Sequence, residues 1–368
     1  MTKSRLPNIL LAPLDWGLGH ATRCIPVIRY LLAKKCNVTL AAQGATASLL
    51  KSNFPELTIL PIVGYNVKYS RSGSMLPLKI LSQVPKILRA IKEERLWLKR
   101  VQKQYQFDLV ISDNRYGLKI DGLPSVILTH QLLIKSGAGS LFDQLLQHLH
   151  YRILENFDVC WVVDRAGDNG IGGELSHPKK NPANARYIGV LSQLELPIVE
   201  QDSSEGKILV LLSGPEPQRG GLEQQIVSQI ISTPEYSYIL VGGKPGGAAP
   251  ENLPSGTDYY AHRNASELAV LMANAKLVVC RSGYSTLMDL SHIGKKGLLI
   301  PTPGQSEQQY LADYLGKQGL FYWRKQSQLN LRTDIPEALK FPGFAAESVR
   351  LPNLAMNTAV DDIINRIV

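Results

Sequence analysis

The densest chemistry in the chain lies in Val278-Val279-Cys280-Arg281-Ser282-Gly283-Tyr284-Ser285-Thr286-Leu287-Met288-Asp289-Leu290. The apolar run over 276–280 reads as a buried strand, and it empties into Arg281-Ser282-Gly283, a turn suited to small residues. An amphipathic helix follows, with Leu287, Leu290 and Ile293 on one face. A strand, a tight turn and a helix start together aim unpaired backbone N–H groups at one point, which attracts phosphate. Arg281 adds a fixed positive charge suited to a diphosphate, and Asp289, one turn into the helix, can accept hydrogen bonds from a ribose. A second helix start comes about twenty residues later, in Thr302-Pro303-Gly304-Gln305-Ser306-Glu307-Gln308-Gln309. The carboxamides of Gln308 and Gln309 are of a type that reads sugar hydroxyls. One strand–turn–helix is generic, whereas two in this order are far less so.

The first half has its own glycine loop, Leu14-Asp15-Trp16-Gly17-Leu18-Gly19-His20-Ala21-Thr22-Arg23, after the first strand. Gly17 and Gly19 let the backbone approach a ligand, although Thr22 or Arg23 stands where a dinucleotide fingerprint needs a third glycine. His20 opens a helix beside that turn, where the helix end favours its neutral, base-competent form. The bland alternative is a histidine that only caps or packs. Asp113 and His130 end two further strand-like runs, 108–112 and 124–129, at the edge where ligands sit in such sheets. For Asp113 three readings stand: a base for an acceptor hydroxyl, a partner that orients a histidine, or a helix N-cap.

The block from Val278 to Ala312 resembles the donor-binding half of glycosyltransferase family 28, which includes the transferase completing the lipid-linked peptidoglycan precursor. Arg281-Ser282-Gly283, Thr286, Asp289, Pro301 and Gln308-Gln309 match the family's order. Asp289 stands where the family usually has Glu. The resemblance implies a GT-B fold, a UDP-sugar donor, inversion at the anomeric carbon, and ribose and sugar contacts at Asp289 and at Gln308 and Gln309. It further implies a phosphate loop at Ser213-Gly214 and a base contact at Asn264; the residue pattern itself offers Ser266 as the N-cap of the helix there. Pro215 and Pro217 leave that loop fewer N–H donors than the family's glycine-rich version. The Gly-His element resembles the family's acceptor-side loop. It equally resembles the Gly-Leu-Gly-His-x-x-Arg-Cys loop of nucleotide-sugar hydrolases that share the fold.

These groups need sheets to hold them. Strand-like runs alternate with helical patterns throughout, which predicts α/β architecture: two Rossmann-like, doubly wound domains facing a cleft. The expected division is an acceptor-side domain over 1–195, a nucleotide-sugar domain over 205–350, and a last helix within 351–368 that crosses back to the first domain. Strands are expected at 8–12, 37–41, 57–62, 108–112, 124–129 and 158–163, then at 207–212, 237–241, 257–260, 276–280 and 297–300. Helices are expected at 21–34, 141–155, 221–232, 265–272, 285–293, 306–317 and 357–367. Pro182 to Pro197 reads as the connection between domains, and Gln201–Gly206 as a polar lead into the second.

A chain of 368 residues, 44% hydrophobic and 19% charged, is globular and sized for two domains. No apolar stretch approaches the roughly 20 residues that span a bilayer, and Cys24, Cys36, Cys160 and Cys280 are too scattered for a metal or redox pair. Reduced thiols in a cytoplasmic protein follow. Most of the +9 net charge sits in residues 65–105, where ten basic residues face two acidic ones, a net of +8. Ile80, Leu81, Val84, Ile87, Leu88 and Ile91 recur there at helical spacing, with Pro85 expected to kink the helix or start a new one. Such a helix either lies on anionic lipid at the inner face of the cell membrane or packs its apolar face on the first sheet. Nucleic acid is not indicated, since no binding motif accompanies the cations.

The expectation is a glycosyltransferase moving a sugar from a UDP-sugar to an unidentified acceptor, lipid-linked or soluble. His20, or Asp113 in its place, takes the acceptor's proton, and the Arg281 turn neutralises the leaving diphosphate. The scheme needs neither a cofactor nor a metal, and the chain has no Asp-x-Asp pair. The rival is a nucleotide-sugar hydrolase in which His20 activates water.

Overall fold

Parallel strands covered by helices on both faces must be apolar without alternation, and Ile9-Leu10-Leu11-Ala12 and Leu277-Val278-Val279-Cys280 are of that kind, all buried. The computed structural model describes residues 5–64, 76–133, 140–167, 170–195, 206–244, 246–345 and 353–367. The chain divides into two units, Met1–Leu191 with Pro352–Val368, and Ser192–Leu351.

In the first unit the order is β1 (Asn8–Pro13), α1 (Leu18–Ala33), β2 (Asn37–Ala41), α2 (Gly44–Asn53), β3 (Thr58–Leu60) and α3 (Leu76–Tyr105). Next come β4 (Leu109–Asp113), β5 (Ser125–Thr129), α4 (Ser140–Glu155), β6 (Val159–Val162) and β7 (Ala185–Tyr187). The strands form one parallel sheet in the order β3-β2-β1-β4-β5-β6-β7. The order reverses between β1 and β4, the position at which such sheets bind ligands.

The second unit repeats the plan. It holds β8 (Ile208–Leu211), α5 (Gln218–Ile230), β9 (Tyr238–Val241), β10 (Thr257–Tyr260), α6 (Ala265–Asn274), β11 (Leu277–Cys280) and α7 (Tyr284–Ile293). β12 (Gly297–Leu299), α8 (Ser306–Lys317), β13 (Tyr322–Trp323) and α9 (Leu331–Leu339) complete it. Its parallel sheet runs β10-β9-β8-β11-β12-β13, with the reversal between β8 and β11. Both orders are of the Rossmann type. The last helix, α10 (Leu354–Ile367), belongs to the first unit. Asp361 accepts from the Tyr30 hydroxyl at 3.0 Å, Arg186 reaches Asp362 at 2.6 Å, and Val360 and Ile363 are buried.

Three expectations change. Tyr187 is not part of a connection; it ends β7, a strand of the first sheet. Pro85 does not start a new helix, because α3 runs through it from Leu76 to Tyr105. Helix α1 begins at Leu18, earlier than 21, so Gly19 and His20 lie in its first turn. Of the basic segment, Lys68 and Arg71 lie outside the described residues, as do the side chains of Lys79, Ile80, Leu81 and Val84 and, in the polar lead, Gln201–Glu205. On the described part of α3, Leu98 and Val101 pack in the core with Phe107, whereas Leu88 and Leu96 are exposed. Packing and an exposed apolar-basic surface therefore coexist on this helix.

Candidate functional site

In the first unit the loop after β1 and the end of β4 lie side by side at the strand-order reversal. Pro13 and Asp113 are register partners there. Gly17, with φ of 142°, turns the chain into α1 without a side-chain cap, and nothing crowds the place where its Cβ would be. His20 follows in the first helical turn. Its Nδ1 lies 3.1 and 3.2 Å from the two oxygens of Asp113. Arg23, one turn further along α1, donates from Nε to Asp113 at 3.0 Å and from Nη2 to the other carboxylate oxygen. The same Nη2 lies 3.0 Å from His20 Nδ1, and Nη1 lies 2.7 Å from Nδ1 of His130. A guanidinium only donates, so Nδ1 of His130 accepts.

Burial alone would raise the Asp113 carboxyl, but Arg23 and then His20 outweigh it and hold it at about 2. It is a permanent anion at neutral pH. His20 is pushed below its ordinary value, chiefly by burial; Asp113 opposes that, while Arg23 and His130 add to it. Among the described residues no hydrogen bond is made by its Nε2. A neutral imidazole steered by a carboxylate at one nitrogen and open at the other is equipped to take a proton. No helix follows Asp113 directly among the described residues, which removes the N-cap reading, and its carboxylate instead lies against His20 and Arg23.

A second arginine stiffens the same loop. Arg115, wholly buried, donates to the Pro13 carbonyl at 2.9 Å, the Val63 carbonyl at 3.2 Å and Glu94 at 2.9 Å, and lies 3.7 Å from Asp15. Gly64 meets Asp15 so closely that no Cβ fits between them. Glu94 therefore faces inward, and one of the two acidic residues of the basic segment is absent from the surface of α3.

In the second unit the reversal places the loop after β8 beside the turn after β11. Gly283 stands at the N-cap of α7 and Gln305 at that of α8, neither helix having a side-chain cap. By contrast α6 is closed by a capping box in which Asn264 accepts from the Glu267 N–H at 2.9 Å. Asn264 is thus the cap that Ser266 was expected to be, and its side-chain oxygen is engaged there. Gly283 has ordinary extended angles, φ −71° and ψ 142°, so conformational freedom is not its purpose. Among the described residues only Nε2 of Gln308, at 3.9 Å, comes within 4 Å of the place a Cβ would take, so glycine leaves the approach to the first turn, with Thr286, open. Ser282 Oγ donates to the Gln308 carbonyl at 2.8 Å. Gln308 itself bridges the Thr302 N–H (2.9 Å) and Gln305 (2.7 Å). Gln309 lies beside it in the first turn of α8, half-buried.

Arg281 departs from its expected place. Its buried guanidinium donates to the carbonyls of Ile300 (3.2 Å), Pro301 (3.3 Å) and Gln218 (2.8 Å) and to the Gln326 side chain (2.9 Å). Those bonds make it the floor that joins three loops, with its charge behind the turn. Burial lowers its pKa to about 10, so it stays a cation. Asp289 accepts from Ser192 Oγ at 2.6 Å, and burial, opposed by that bond, lifts its carboxyl to about 7. Gly214, exposed, takes a φ of 97° after β8. The first free amide region of α5 is already met by protein: Glu216 accepts from the Gly220 N–H at 3.0 Å and pairs with Arg219. The short supply of donors expected from Pro215 and Pro217 is thus reduced further.

Residues 239–351 match the family model described as the Glycosyltransferase family 28 C-terminal domain, a span that contains α7, α8 and the turn between them and their strands. Over 324 residues the chain is 25% identical to the UDP-N-acetylglucosamine–N-acetylmuramyl-(pentapeptide) pyrophosphoryl-undecaprenol N-acetylglucosamine transferase of Burkholderia mallei (strain SAVP1), covering 84% of this chain and 83% of that protein. The chain is a family 28-like glycosyltransferase. Its fold is that of the solved glycotransferase of kitacinnamycin (TM-score 0.67, 15% identity, 99% of this chain and 96% of that one). Acinetobacter baumannii MurG is similar too (TM-score 0.58, 16% identity, 98% and 99%). In this transferase three residues singled out in the sequence, His20, Asp113 and His130, are brought together by Arg23, the arginine of the His-x-x-Arg-Cys element, one helical turn after His20. Ser192, the partner of Asp289, carries no such signal.

Proposed function

We propose that the transferase moves a sugar from a nucleoside diphosphate sugar, with UDP as carrier, to an acceptor hydroxyl, with inversion and without a metal. The observation that carries this reading is α7, which opens after Gly283 without a side-chain cap inside the segment matching the family 28 domain. The first-turn amides of α7 and the start of α8 hold the diphosphate as it leaves, with the helix dipoles behind them. Among the described residues one oxygen of Asp289 has no hydrogen bond and takes a ribose hydroxyl, while Thr286 on α7 and Gln308 and Gln309 on α8 read the phosphate and sugar. Asn264 offers the nucleobase its backbone and remaining amide group, and Gly214 lines the phosphate side. His20 takes the acceptor proton at Nε2, with Asp113 fixing its ring and His130, Gly17 and Gly19 shaping the acceptor side.

The relative from Burkholderia mallei is named for a UDP-sugar donor and a polyprenol-linked acceptor. That supports UDP and a lipid-linked acceptor here, and the exposed Leu88 and Leu96 among the basic residues of α3 support a peripheral place on an anionic cytoplasmic membrane face. No helix among the described residues is long and apolar enough to cross a membrane. Incubation with UDP-, TDP- and GDP-sugars, with and without lipid-linked and soluble glycan acceptors, tests the reading. Acceptor-dependent release of UDP is expected; equal release without any acceptor would instead make the protein a hydrolase.

A further inference from the structure

Asp113 has both oxygens on Arg23, and His20 Nδ1 sees two opposite partners at nearly one distance: a pure acceptor, Asp113, at 3.1 Å and a pure donor, Arg23 Nη2, at 3.0 Å. Arg23 and Asp113 are both buried, so their charges have little solvent to lean on. Resting on the reading of His20 as the base, we infer that Arg23 is a positioning residue: it pins the Asp113 carboxylate and balances its charge, so that His20 stays neutral while still being steered by Asp113.

The logic is one of charge pairing. With Arg23 present the cluster is balanced without a proton on His20. With Arg23 replaced by a neutral residue, Asp113 is a buried anion whose nearest proton acceptor is His20. The imidazole would then take up a proton at neutral pH, and an imidazolium cannot accept another from a hydroxyl. The groups facing His20 are Asp113 from β4, Arg23 from its own helix and His130 from the end of β5; Cys24 faces Asp113, 3.7 Å from it. Of these only Asp113 draws a proton onto His20, while Arg23 and His130 resist it. Through Nη1 Arg23 also holds His130, so a single guanidinium sets the partners on two sides of the base. A lysine carries the charge but not the fork that reaches both groups.

The test is the titration of His20 in the full chain, read by imidazole nitrogen–proton NMR and assigned with His20→Gln. Arg23→Gln is expected to raise the midpoint by about one pH unit or more. Arg23→Lys should return it most of the way to the wild-type value, and Asp113→Asn should move it the other way. A folded Arg23→Gln protein in which His20 titrates as in wild type would overturn the inference. Should Arg23→Gln not fold, the pair Asp113→Asn and Arg23→Gln/Asp113→Asn decides instead: the double variant must titrate above the single one, and coincidence of the two would overturn the inference. Loss or retention of UDP-sugar turnover in His20→Ala bears only on the role of His20 as base, so failure of that role and failure of this inference are separate results.

Discussion

Ser282 Oγ, in the turn that leads into α7, donates to the backbone carbonyl of Gln308 at 2.8 Å, and this bond ties that turn to the first turn of α8. The two helix starts, about twenty residues apart in the chain, are thereby one platform with two uncapped ends. Ser282→Ala should cost about 1 kcal/mol of stability. It should also weaken UDP-N-acetylglucosamine binding several-fold, because the two ends would no longer keep their spacing. Calorimetric titration together with thermal melting checks both figures.

Arg281 is expected to matter first for stability. Truncation to alanine strands three carbonyls that now accept from one guanidinium, so a loss of at least about 3 kcal/mol is expected, even with no nucleotide present. Urea unfolding of Arg281→Ala without ligand measures it. An unchanged midpoint combined with lost UDP binding would return Arg281 to the role of a direct phosphate ligand.

The proposed ribose contact of Asp289 makes donor binding depend on pH. Its carboxyl, lifted to about 7, is protonated below that pH and accepts poorly from a ribose hydroxyl. Binding of UDP-N-acetylglucosamine, whose diphosphate diester does not titrate in this range, should tighten as pH rises from 6 to 8, and Asp289→Asn should flatten the profile. Stability runs the other way. A carboxyl whose pKa is raised on folding stabilises the fold at low pH, and that contribution fades between about 4 and 7.

Asp113 behaves oppositely. Held at about 2, it contributes stability that is present above about 4 and is lost as pH falls toward 2. Asp113→Asn removes the carboxylate to which Nε and Nη2 of the buried Arg23 both donate and should cost roughly 3–5 kcal/mol at pH 7. Comparison of denaturant midpoints at pH 7 and pH 3 checks the sign, since the gap between variant and wild type should narrow at the lower pH.

The sheets were legible because buried parallel strands announce themselves: Ile9–Ala12 and Leu277–Cys280 could be little else. Strands β7 and β13 escaped notice because Ala185–Tyr187 and Tyr322–Trp323 are short, half-buried edges with no apolar run. The loop-end positions of His20, Asp113 and His130 followed from the strand pattern. Their joining did not, since it depends on Arg23 reaching β4 and the end of β5 from α1. The same limit applies at Arg281. A turn sequence shows that a cation is present, but its partners come from residues 218, 300, 301 and 326, which only the tertiary packing brings near.

The most direct test of the account is UDP release from UDP-sugars by wild type and His20→Ala in the presence of acceptor, alongside calorimetry of UDP-sugar binding. The account predicts a fall in turnover of about 10²–10⁴-fold with donor affinity unchanged. Turnover that survives in His20→Ala, or a wild-type protein to which no UDP-sugar binds, would contradict it.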